Sequence, residues 1–396
     1  MFVLLASLSW AQASGDLPTA ADYRVGAEVF EQILESEPGN VQAWVNLGIA
    51  QLHLGELEKA HRTLSFSLEA DPENSKAMNA IAVVHLRAGR FEQGLTALTD
   101  AVMLDYSNLT PLLNLAAISE QVQDPLASIS FYRFALEVEP SHPLAAARMA
   151  RILNIGNRQD QAHEVLEPAL VMYPENVELQ LQKGLAHQGQ QEDFKALGFL
   201  LKAVELDPSY LDATRAAAFS LMRTEQWPAA EALYQSAIEM AGTHPIVVEI
   251  HYELAQVYAF SGAAIPRALQ HLEFILKADP SNSAAYAFKG NLQEDLGDQA
   301  GAIRSWTRAI RFDQKECSAL NNLGRLRMNQ GDFDEARTLF SQCLAASPEH
   351  PAALLNRGAM RVAEGDCEGA KQDLSGLLGT AGDLSEQAEK LLRNCD

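Results

Sequence analysis

Prolines recur along the chain at a nearly constant interval, each after a stretch of helix-forming residues. The gaps between successive prolines of this set are 34, 68, 34, 34, 72 and 68 residues, so five of the six are multiples of 34. A fixed period of this length predicts a tandem array of one small unit of supersecondary structure. The set consists of Pro38, Pro72, Pro140, Pro174, Pro208, Pro280 and Pro348.

Small residues return at two sites of this period, and a large residue returns at a third. With Val41 as position 1, the small sites are positions 8 and 20 and the large site is position 24. Two helices of a hairpin approach closely only where one lacks a bulky side chain, and large residues fill the space beside that gap. The pattern therefore predicts helical hairpins. Position 8 is Gly48, Ala82, Ala116, Ala150, Gly184, Ala218, Ala255, Gly290, Gly324 and Gly358; position 20, with a shift of one after Ala255, is Ala60, Gly94, Ser128, Ala162, Ala196, Ala230, Ala268, Ala302, Ala336 and Ala370; position 24 is Leu64, Leu98, Tyr132, Leu166, Leu200, Tyr234, Leu272, Trp306, Phe340 and Leu374.

The ends of the helices are also marked in the period. Apolar residues recur at helical spacing and not in alternation, which excludes strands from the repeated region. Proline at position 32 ends the second helix because it has no N–H to donate. Glycine at position 15 predicts a left-handed residue after the first helix. These glycines are Gly55, Gly89, Gly297, Gly331 and Gly365.

These motifs resemble the tetratricopeptide repeat, in its bacterial exported or periplasmic type. The closest matches to its signature are Trp44, Leu47 and Gly48 in the first full unit and Ala336, Phe340 and Pro348 in the ninth. The resemblance implies an all-α fold, a right-handed α-α superhelix with a C-terminal capping helix. Residues 41–379 then form ten units: 41–74, 75–108, 109–142, 143–176, 177–210, 211–247, 248–282, 283–316, 317–350 and 351–379.

The two ends of the chain differ from the repeats. Residues 1–13 hold a short apolar run and an A-x-A-like site, which predicts a signal peptide and a periplasmic or secreted protein. The alternative is that the run is the first helix of the array in a cytoplasmic protein. Residues 22–40 have the register of a degenerate half repeat. Residues 383–395 are predicted to form a polar-backed helix that caps the last hydrophobic face.

Charge and motif content exclude several functions. The chain has 30 basic and 52 acidic residues, a net charge of −22, which disfavours nucleic acid as a partner and leaves a basic partner open. No apolar run is long enough to span a membrane. The sequence has no metalloprotease, dinucleotide, P-loop or nucleophile-elbow motif, so we predict no enzyme activity, no cofactor and no metal site.

All four cysteines lie in the last eighty residues, and the repeat register suggests how two of them pair. Cys367 begins the second helix of the last unit and Cys395 ends the capping helix. Because the two helices should be antiparallel, their thiols are predicted to come within bridging distance, as expected in an oxidising compartment. Cys343 is predicted to be plain packing at a small-residue site, with a bridge to Cys317 left open.

The resemblance also places a binding groove. In this family the first helix of each unit lines the concave face, at positions 2, 5, 6, 9, 12 and 13. Asparagine is a poor former of helix interiors but offers both a donor and an acceptor, so its recurrence on this face predicts contacts with a peptide backbone. It resembles the asparagine ladder of O-GlcNAc transferases. The asparagines are Asn46, Asn79, Asn114, Asn321, Asn322 and Asn356.

Two arginines add a possible anion contact to this face. Arg148 and Arg151 lie beside Asn114 and are predicted to receive one acidic side chain of a partner. The resemblance thus implies a non-catalytic scaffold that binds peptide or protein partners in its groove, in an assembly of the cell envelope. The alternatives are a cytosolic adaptor and a regulatory partner of a glycosyltransferase-like enzyme. The sequence leaves the oligomeric state open.

Overall fold

The computed structural model describes residues 19–262, 264–379 and 383–395, and all regular structure within these ranges is helical. The predicted all-α fold is confirmed. The predicted signal peptide, residues 1–13, lies outside the described residues. None of the described helices has both the length and the apolar character needed to cross a bilayer.

The chain divides into two compact units, Met1–Ala213 and Thr214–Asp396, here called the N-terminal unit and the C-terminal unit. In chain order, the helices up to the boundary are α1 (Ala20–Ser36), α2 (Val41–His53), α3 (Leu57–Ala70), α4 (Ser75–Arg87), α5 (Phe91–Leu104), α6 (Leu109–Gln121), α7 (Pro125–Val138), α8 (Pro143–Ile155), α9 (Gln159–Met172), α10 (Val177–Gly189), α11 (Asp193–Leu206) and α12 (Leu211–Arg223). The others are α13 (Trp227–Ala241), α14 (Val247–Phe260), α15 (Ile265–Ala278), α16 (Ser283–Asp295), α17 (Gln299–Phe312), α18 (Cys317–Asn329), α19 (Phe333–Ala346), α20 (Pro351–Glu364), α21 (Cys367–Leu374) and α22 (Asp383–Leu392).

Asparagine side chains begin many of the first helices. Five of these helices have an Asn N-cap whose Oδ1 accepts a backbone N–H from the first turn, which satisfies a group that the helix itself leaves unpaired. His142 and His350 cap α8 and α20 in the same way through Nδ1. The five asparagines are Asn40, Asn74, Asn108, Asn176 and Asn282.

Close contact between the two helices of a hairpin occurs where the sequence pattern predicts it. A Cβ atom added to Gly48 would lie 2.5 Å from Leu64 Cγ, and one added to Gly184 would lie 2.5 Å from Leu200 Cγ. Position 8 therefore packs directly against position 24 of the same repeat. In these glycine units the two helices lie too close for a Cβ atom, and a side chain larger than alanine fits position 8 of no unit.

The turn inside each hairpin requires a left-handed residue, whether or not that residue is glycine. Gly55 and Gly331 have φ angles of 79° and 83° at position 15, as the sequence predicts. Gln123, Asn157 and Gln191 hold the same position with φ angles of 60°, 53° and 61°. The hairpin geometry thus imposes a conformation that costs a non-glycine residue about 1–2 kcal/mol.

The end of the C-terminal unit is closed by α22 and by a disulfide. Ala388 of α22 is buried against Leu374 and Leu377, which belong to the last repeat. Cys367, at the start of α21, is bonded to Cys395, with Cα atoms 5.5 Å apart. This is the pair that the register suggests.

The second cysteine pair differs from the simplest expectation. Cys317 and Cys343 are bonded to each other, with Cα atoms 4.6 Å apart, so the bridge that the sequence leaves open is present and Cys343 does more than fill a small-residue site. The reason lies in the hairpin geometry, since the first residue of α18 faces the last turn of α19. Both disulfides lie in the C-terminal unit.

Candidate functional site

Three of the predicted groove asparagines lie against a neighbouring first helix and are buried there. Asn79 and Asn321 occupy position 5 and are only 3% and 5% exposed. Asn114, at position 6, is 1% exposed. The prediction that these three amides line a groove is therefore wrong, because a residue buried between consecutive first helices cannot reach a bound peptide.

The two buried asparagines of the N-terminal unit hydrogen-bond to each other. Asn114 Nδ2 donates to Asn79 Oδ1 over 2.9 Å, joining α6 to α4. We call Asn79 and Asn114 the sealed pair. Buried polar groups are tolerated when they are hydrogen-bonded, so this contact connects adjacent repeats.

In the C-terminal unit the same contact continues into a longer chain of amides. Asn356 Nδ2 donates to Asn321 Oδ1 over 2.9 Å, and Asn321 Nδ2 donates to Asn322 Oδ1 over 3.2 Å. Asn322 Nδ2 then donates to Asn291 Oδ1 over 2.7 Å. Asn291, Asn322 and Asn356 are half-buried, so part of this chain remains accessible. We call these three residues the amide array.

Aromatic and charged side chains flank the amide array. Phe288 lies one turn before Asn291 on α16, and its ring packs 5.5 Å from that of Tyr252. Arg325 Nη2 lies 2.5 Å from Glu294 Oε2, which balances the charge beside the array. The surface thus combines amide hydrogen-bonding groups with partly exposed rings, a combination suited to holding a polypeptide.

The two arginines of the N-terminal unit already have an acidic partner from the chain itself. Arg151 Nη2 pairs with Glu120 Oε2, and Arg148 Nη1 lies 3.7 Å from the same oxygen. The other oxygen of Glu120 accepts a 2.5 Å hydrogen bond from Tyr132 Oη. Burial, followed by the Glu120 contact, raises the pKa of Tyr132 far above its usual range. The predicted site for a partner's carboxylate is thus occupied, although the Arg148 side chain remains 45% exposed.

Asn46, the remaining predicted groove residue, is half-buried on α2 and accepts a 3.0 Å hydrogen bond from Gln42 Nε2. It has the same register position as Asn322 and Asn356 but belongs to no amide chain among the described residues. This makes Asn46 a natural reference for the residues of the amide array.

One cluster of described residues has metal-ligand types. Ligand atoms of Cys317, Cys343 and His350 lie within 4.8 Å of one another. The two sulfur atoms are bonded to each other, so they offer no thiolate, and His350 Nδ1 already accepts the N–H of Ala353. The cluster therefore does not fit a metal ion.

Sequence reasoning missed Asn291 and also Trp306, whose indole Nε1 donates a 2.9 Å hydrogen bond to Asn291 Oδ1. Asn291 lies at position 9, outside the two positions at which asparagine recurs, and Trp306 was counted only as a large core residue. The available signal was chemical, since a buried tryptophan needs an acceptor for its indole N–H and an amide nearby can supply one.

Comparisons with known proteins agree with this architecture. Family profiles described as tetratricopeptide repeat match residues 29–62, and also 55–105, 265–316 and 321–383. The structure of yeast Tom70 is 14% identical, covers 95% of this chain and 92% of its own, and superposes with a TM-score of 0.54. No curated protein is significantly similar to the chain in sequence.

Two further solved structures are similar over different lengths. The APC/C hetero-tetramer Cut9-Hcn1 is 14% identical, with 95% of this chain and 93% of its own covered and a TM-score of 0.49. MamA from Desulfovibrio magneticus RS-1 is 22% identical, with 43% and 97% covered and a TM-score of 0.39. The Tom70 superposition shows the same fold, and the profile matches together with the repeated hairpins show that the chain belongs to the tetratricopeptide-repeat family.

Proposed function

We propose that this protein is a non-catalytic scaffold that binds an extended segment of a protein partner on the first-helix face of its C-terminal unit. The observation that carries the proposal is the half-buried amide array of Asn291, Asn322 and Asn356. Interior helix positions seldom hold several asparagines, because asparagine costs helix stability relative to alanine. A polypeptide backbone has the carbonyl and N–H groups that such amides bind.

The neighbouring side chains support a peptide in preference to a small molecule. Tyr252 and Phe288 offer ring surface beside the array, and Arg325 is neutralised by Glu294. A site with balanced charge has little electrostatic preference, so the hydrogen-bond pattern would select the ligand. The proposed partner is therefore a protein segment recognised through its backbone and through one or two apolar side chains.

The test uses a display library of random linear peptides, selected on the oxidised protein. Peptides that bind are then titrated by fluorescence anisotropy against the wild type and a variant in which all three array asparagines are alanine. We expect the variant to bind at least about tenfold more weakly, since each lost hydrogen bond is worth about 0.5–1.5 kcal/mol.

The matched control is Asn46→Ala, which removes the same residue type at the same register position in the other unit. We expect N46A to bind the selected peptides as the wild type does. Circular dichroism on each variant checks that the helices persist. Equal affinity for the wild type and the array variant would refute the assignment of the peptide site.

We also propose that the protein works in an oxidising compartment, such as a periplasm or the extracellular space. The two disulfides, Cys317–Cys343 and Cys367–Cys395, support this, because such bonds persist mainly outside reducing cytosol. Thiol titration of the natively expressed, rapidly alkylated protein is expected to detect no free cysteine. Four reactive thiols would instead favour a cytosolic adaptor, and sequencing the mature N-terminus tests cleavage after residue 13.

A further inference from the structure

The hydrogen-bond polarity of the amide array is set by a buried tryptophan. Trp306 is fully buried, and its Nε1 lies 2.9 Å from Asn291 Oδ1. An indole N–H can only donate, so the atom of the Asn291 amide that faces it has to be the oxygen. The orientation of this amide therefore follows from chemistry and is not an arbitrary choice between two similar flips.

Asn291 Oδ1 accepts a second hydrogen bond. Asn322 Nδ2 lies 2.7 Å from the same Oδ1, so both lone pairs of Asn291 Oδ1 are engaged. Within the part of the chain that the structure describes, no group accepts a hydrogen bond from Asn291 Nδ2. Asn291 consequently offers a ligand two N–H donors and no acceptor.

The orientation of the Asn291 amide also determines the orientation of the amides that follow it. Because Asn322 must present its Nδ2 to Asn291, its oxygen faces Asn321 Nδ2, 3.2 Å away. Asn321 then presents its own oxygen to Asn356 Nδ2 at 2.9 Å. Four amides thus share one direction, with donors available at the Asn291 end and an acceptor at the Asn356 end.

A glycine makes the anchor possible. A Cβ atom added to Gly290 would lie 2.4 Å from Trp306 Nε1, so only glycine lets the indole N–H approach α16. In the next repeat Phe340 packs against Gly324 in the same way, but phenylalanine has no N–H. Arg325 occupies the register position of Asn291 there, and that repeat has no fixed amide at this position.

We infer that Trp306 is a positioning residue that holds Asn291 as a pure donor, and that the array selects partner segments that place a carbonyl oxygen at Asn291. This inference rests on the proposed peptide-binding function. The ligand class is an extended backbone whose carbonyl faces α16. A segment that presents an N–H at this point would meet two unpaired donors and be rejected.

The direct test uses a probe that contains acceptors only. N-acetylated hexaproline with a dimethylamide terminus is extended, is uncharged and has no N–H to donate. Titration into ¹⁵N-labelled protein is followed at the side-chain amide resonances of Asn291, which are assigned from their absence in Asn291→Asp. We expect saturable shifts of these resonances, and no shift at the highest probe concentration would overturn the inference.

Asn291→Asp gives the matched variant, because it keeps an oxygen toward Trp306 and replaces the exposed NH₂ with a second oxygen. We expect it to bind the probe at least about tenfold more weakly, as measured by shifts of the Asn322 side chain. Asn46→Asp adds the same charge in the other unit and is expected to leave the affinity unchanged. Equal binding by N291D and the wild type would overturn the inference.

The role of Trp306 is tested by a double-mutant cycle. Trp306→Phe should fit, since phenylalanine fills this position in the next repeat, and it removes the indole N–H together with the second ring. We expect W306F to weaken probe binding about threefold in the wild type and to have no further effect in N291D. Equal losses in both backgrounds would assign Trp306 a purely structural role. If library peptides still require the array while hexaproline does not bind, the proposed function stands and the inference fails.

Discussion

Both units contain the same hydrogen bond between asparagine side chains, but the bond is sealed inside the N-terminal unit and belongs to a partly exposed network in the C-terminal unit. In the N-terminal unit Asn114 donates to Asn79 and both side chains are almost fully buried. In the C-terminal unit the equivalent Asn356–Asn321 contact continues through Asn322 to Asn291, where the amides reach the surface. The same asparagine contact is thus purely structural in one unit and part of an accessible surface in the other.

A second recurring contact does not distinguish the two units. Glu120 pairs with Arg151 in the N-terminal unit, and Glu294 pairs with Arg325 in the C-terminal unit. In both cases a carboxylate at position 12 meets the guanidinium at position 9 of the following repeat. These pairs join neighbouring first helices, so the difference between the two surfaces lies in the amides.

Reduction should have the largest effect and should act on one unit alone. Both disulfides lie in the C-terminal unit, and they close loops with sequence separations of 26 and 28 residues. Each is expected to stabilise that unit by about 3 kcal/mol through the entropy of the unfolded chain. Hydrogen exchange with dithiothreitol should therefore accelerate in α18–α22 and stay constant in α2–α10.

The control for this experiment is the variant with all four cysteines changed to serine. Its exchange pattern is expected to be insensitive to dithiothreitol, which separates loss of the bridges from other effects of the reagent. Equal acceleration in both units would contradict the assignment of the disulfides to the C-terminal unit alone.

Alanine in place of glycine at position 8 should destabilise either unit, but it should weaken peptide binding only when it is placed in the C-terminal unit. A Cβ at Gly184 would lie 2.5 Å from Leu200 Cγ, and one at Gly290 would lie 2.4 Å from Trp306 Nε1. Gly184→Ala and Gly290→Ala should each cost about 1–3 kcal/mol of folding free energy because the core is overpacked. Only Gly290→Ala should also weaken the library-selected peptides, since it displaces the indole from Asn291. Denaturant titration and anisotropy measure the two effects, and full peptide affinity in G290A would break the link between hairpin packing and the array.

Changing one asparagine in each unit should separate stability from binding. Asn114→Ala removes a buried hydrogen-bond donor and should cost about 1–2 kcal/mol of stability without changing peptide affinity. Asn322→Ala leaves the donor of the buried Asn321 unpaired, so it should also cost about 1–2 kcal/mol, but it should weaken peptide binding as well. Urea midpoints at constant m values report the first quantity. If N114A weakens binding as much as N322A does, the distinction between the sealed pair and the array is wrong.

The sequence predicted the hairpins well because their determinants are local and repeated. Gly48 against Leu64 and the left-handed Gly55 follow from a period that can be read without coordinates. The binding site was harder to predict, because the exposure of each asparagine depends on which neighbouring helix its register position faces. Asn79 and Asn322 differ by one register position, yet one is buried and the other is accessible. The contact between Trp306 and Asn291 joins two helices and leaves no periodic signature.

Each unit contains a pair of neighbouring histidine rings. Their contribution to the pH dependence of folding stability should be the smallest of the expected effects. In the C-terminal unit His251 Nδ1 lies 2.6 Å from His271 Nδ1, and burial together with this neighbour lowers the pKa of His251 to about 4. In the N-terminal unit His163 and His187 have ring centroids 4.3 Å apart, and burial lowers the pKa of His163. The pKa of His251 is higher in the unfolded chain than in the folded protein. The neutral form of His251 therefore stabilises the fold above about pH 6.5, and this contribution is lost as the pH falls toward 4.

The expected size of this effect is about 1 kcal/mol, since both rings are only partly buried and solvent screens them. Urea titrations at neutral pH and at pH 5 measure it, with His251→Asn as the variant. Asparagine does not titrate, so H251N should lose less stability than the wild type between the two pH values. Burial lowers the pKa of His271, and the nearby carboxylate of Glu231 counteracts part of that shift. Glu231→Gln should therefore enlarge the pH dependence in the wild-type background. An identical pH dependence in the wild type and H251N would show that the closely bonded pair of the C-terminal unit is no more sensitive to protons than the rest of the chain.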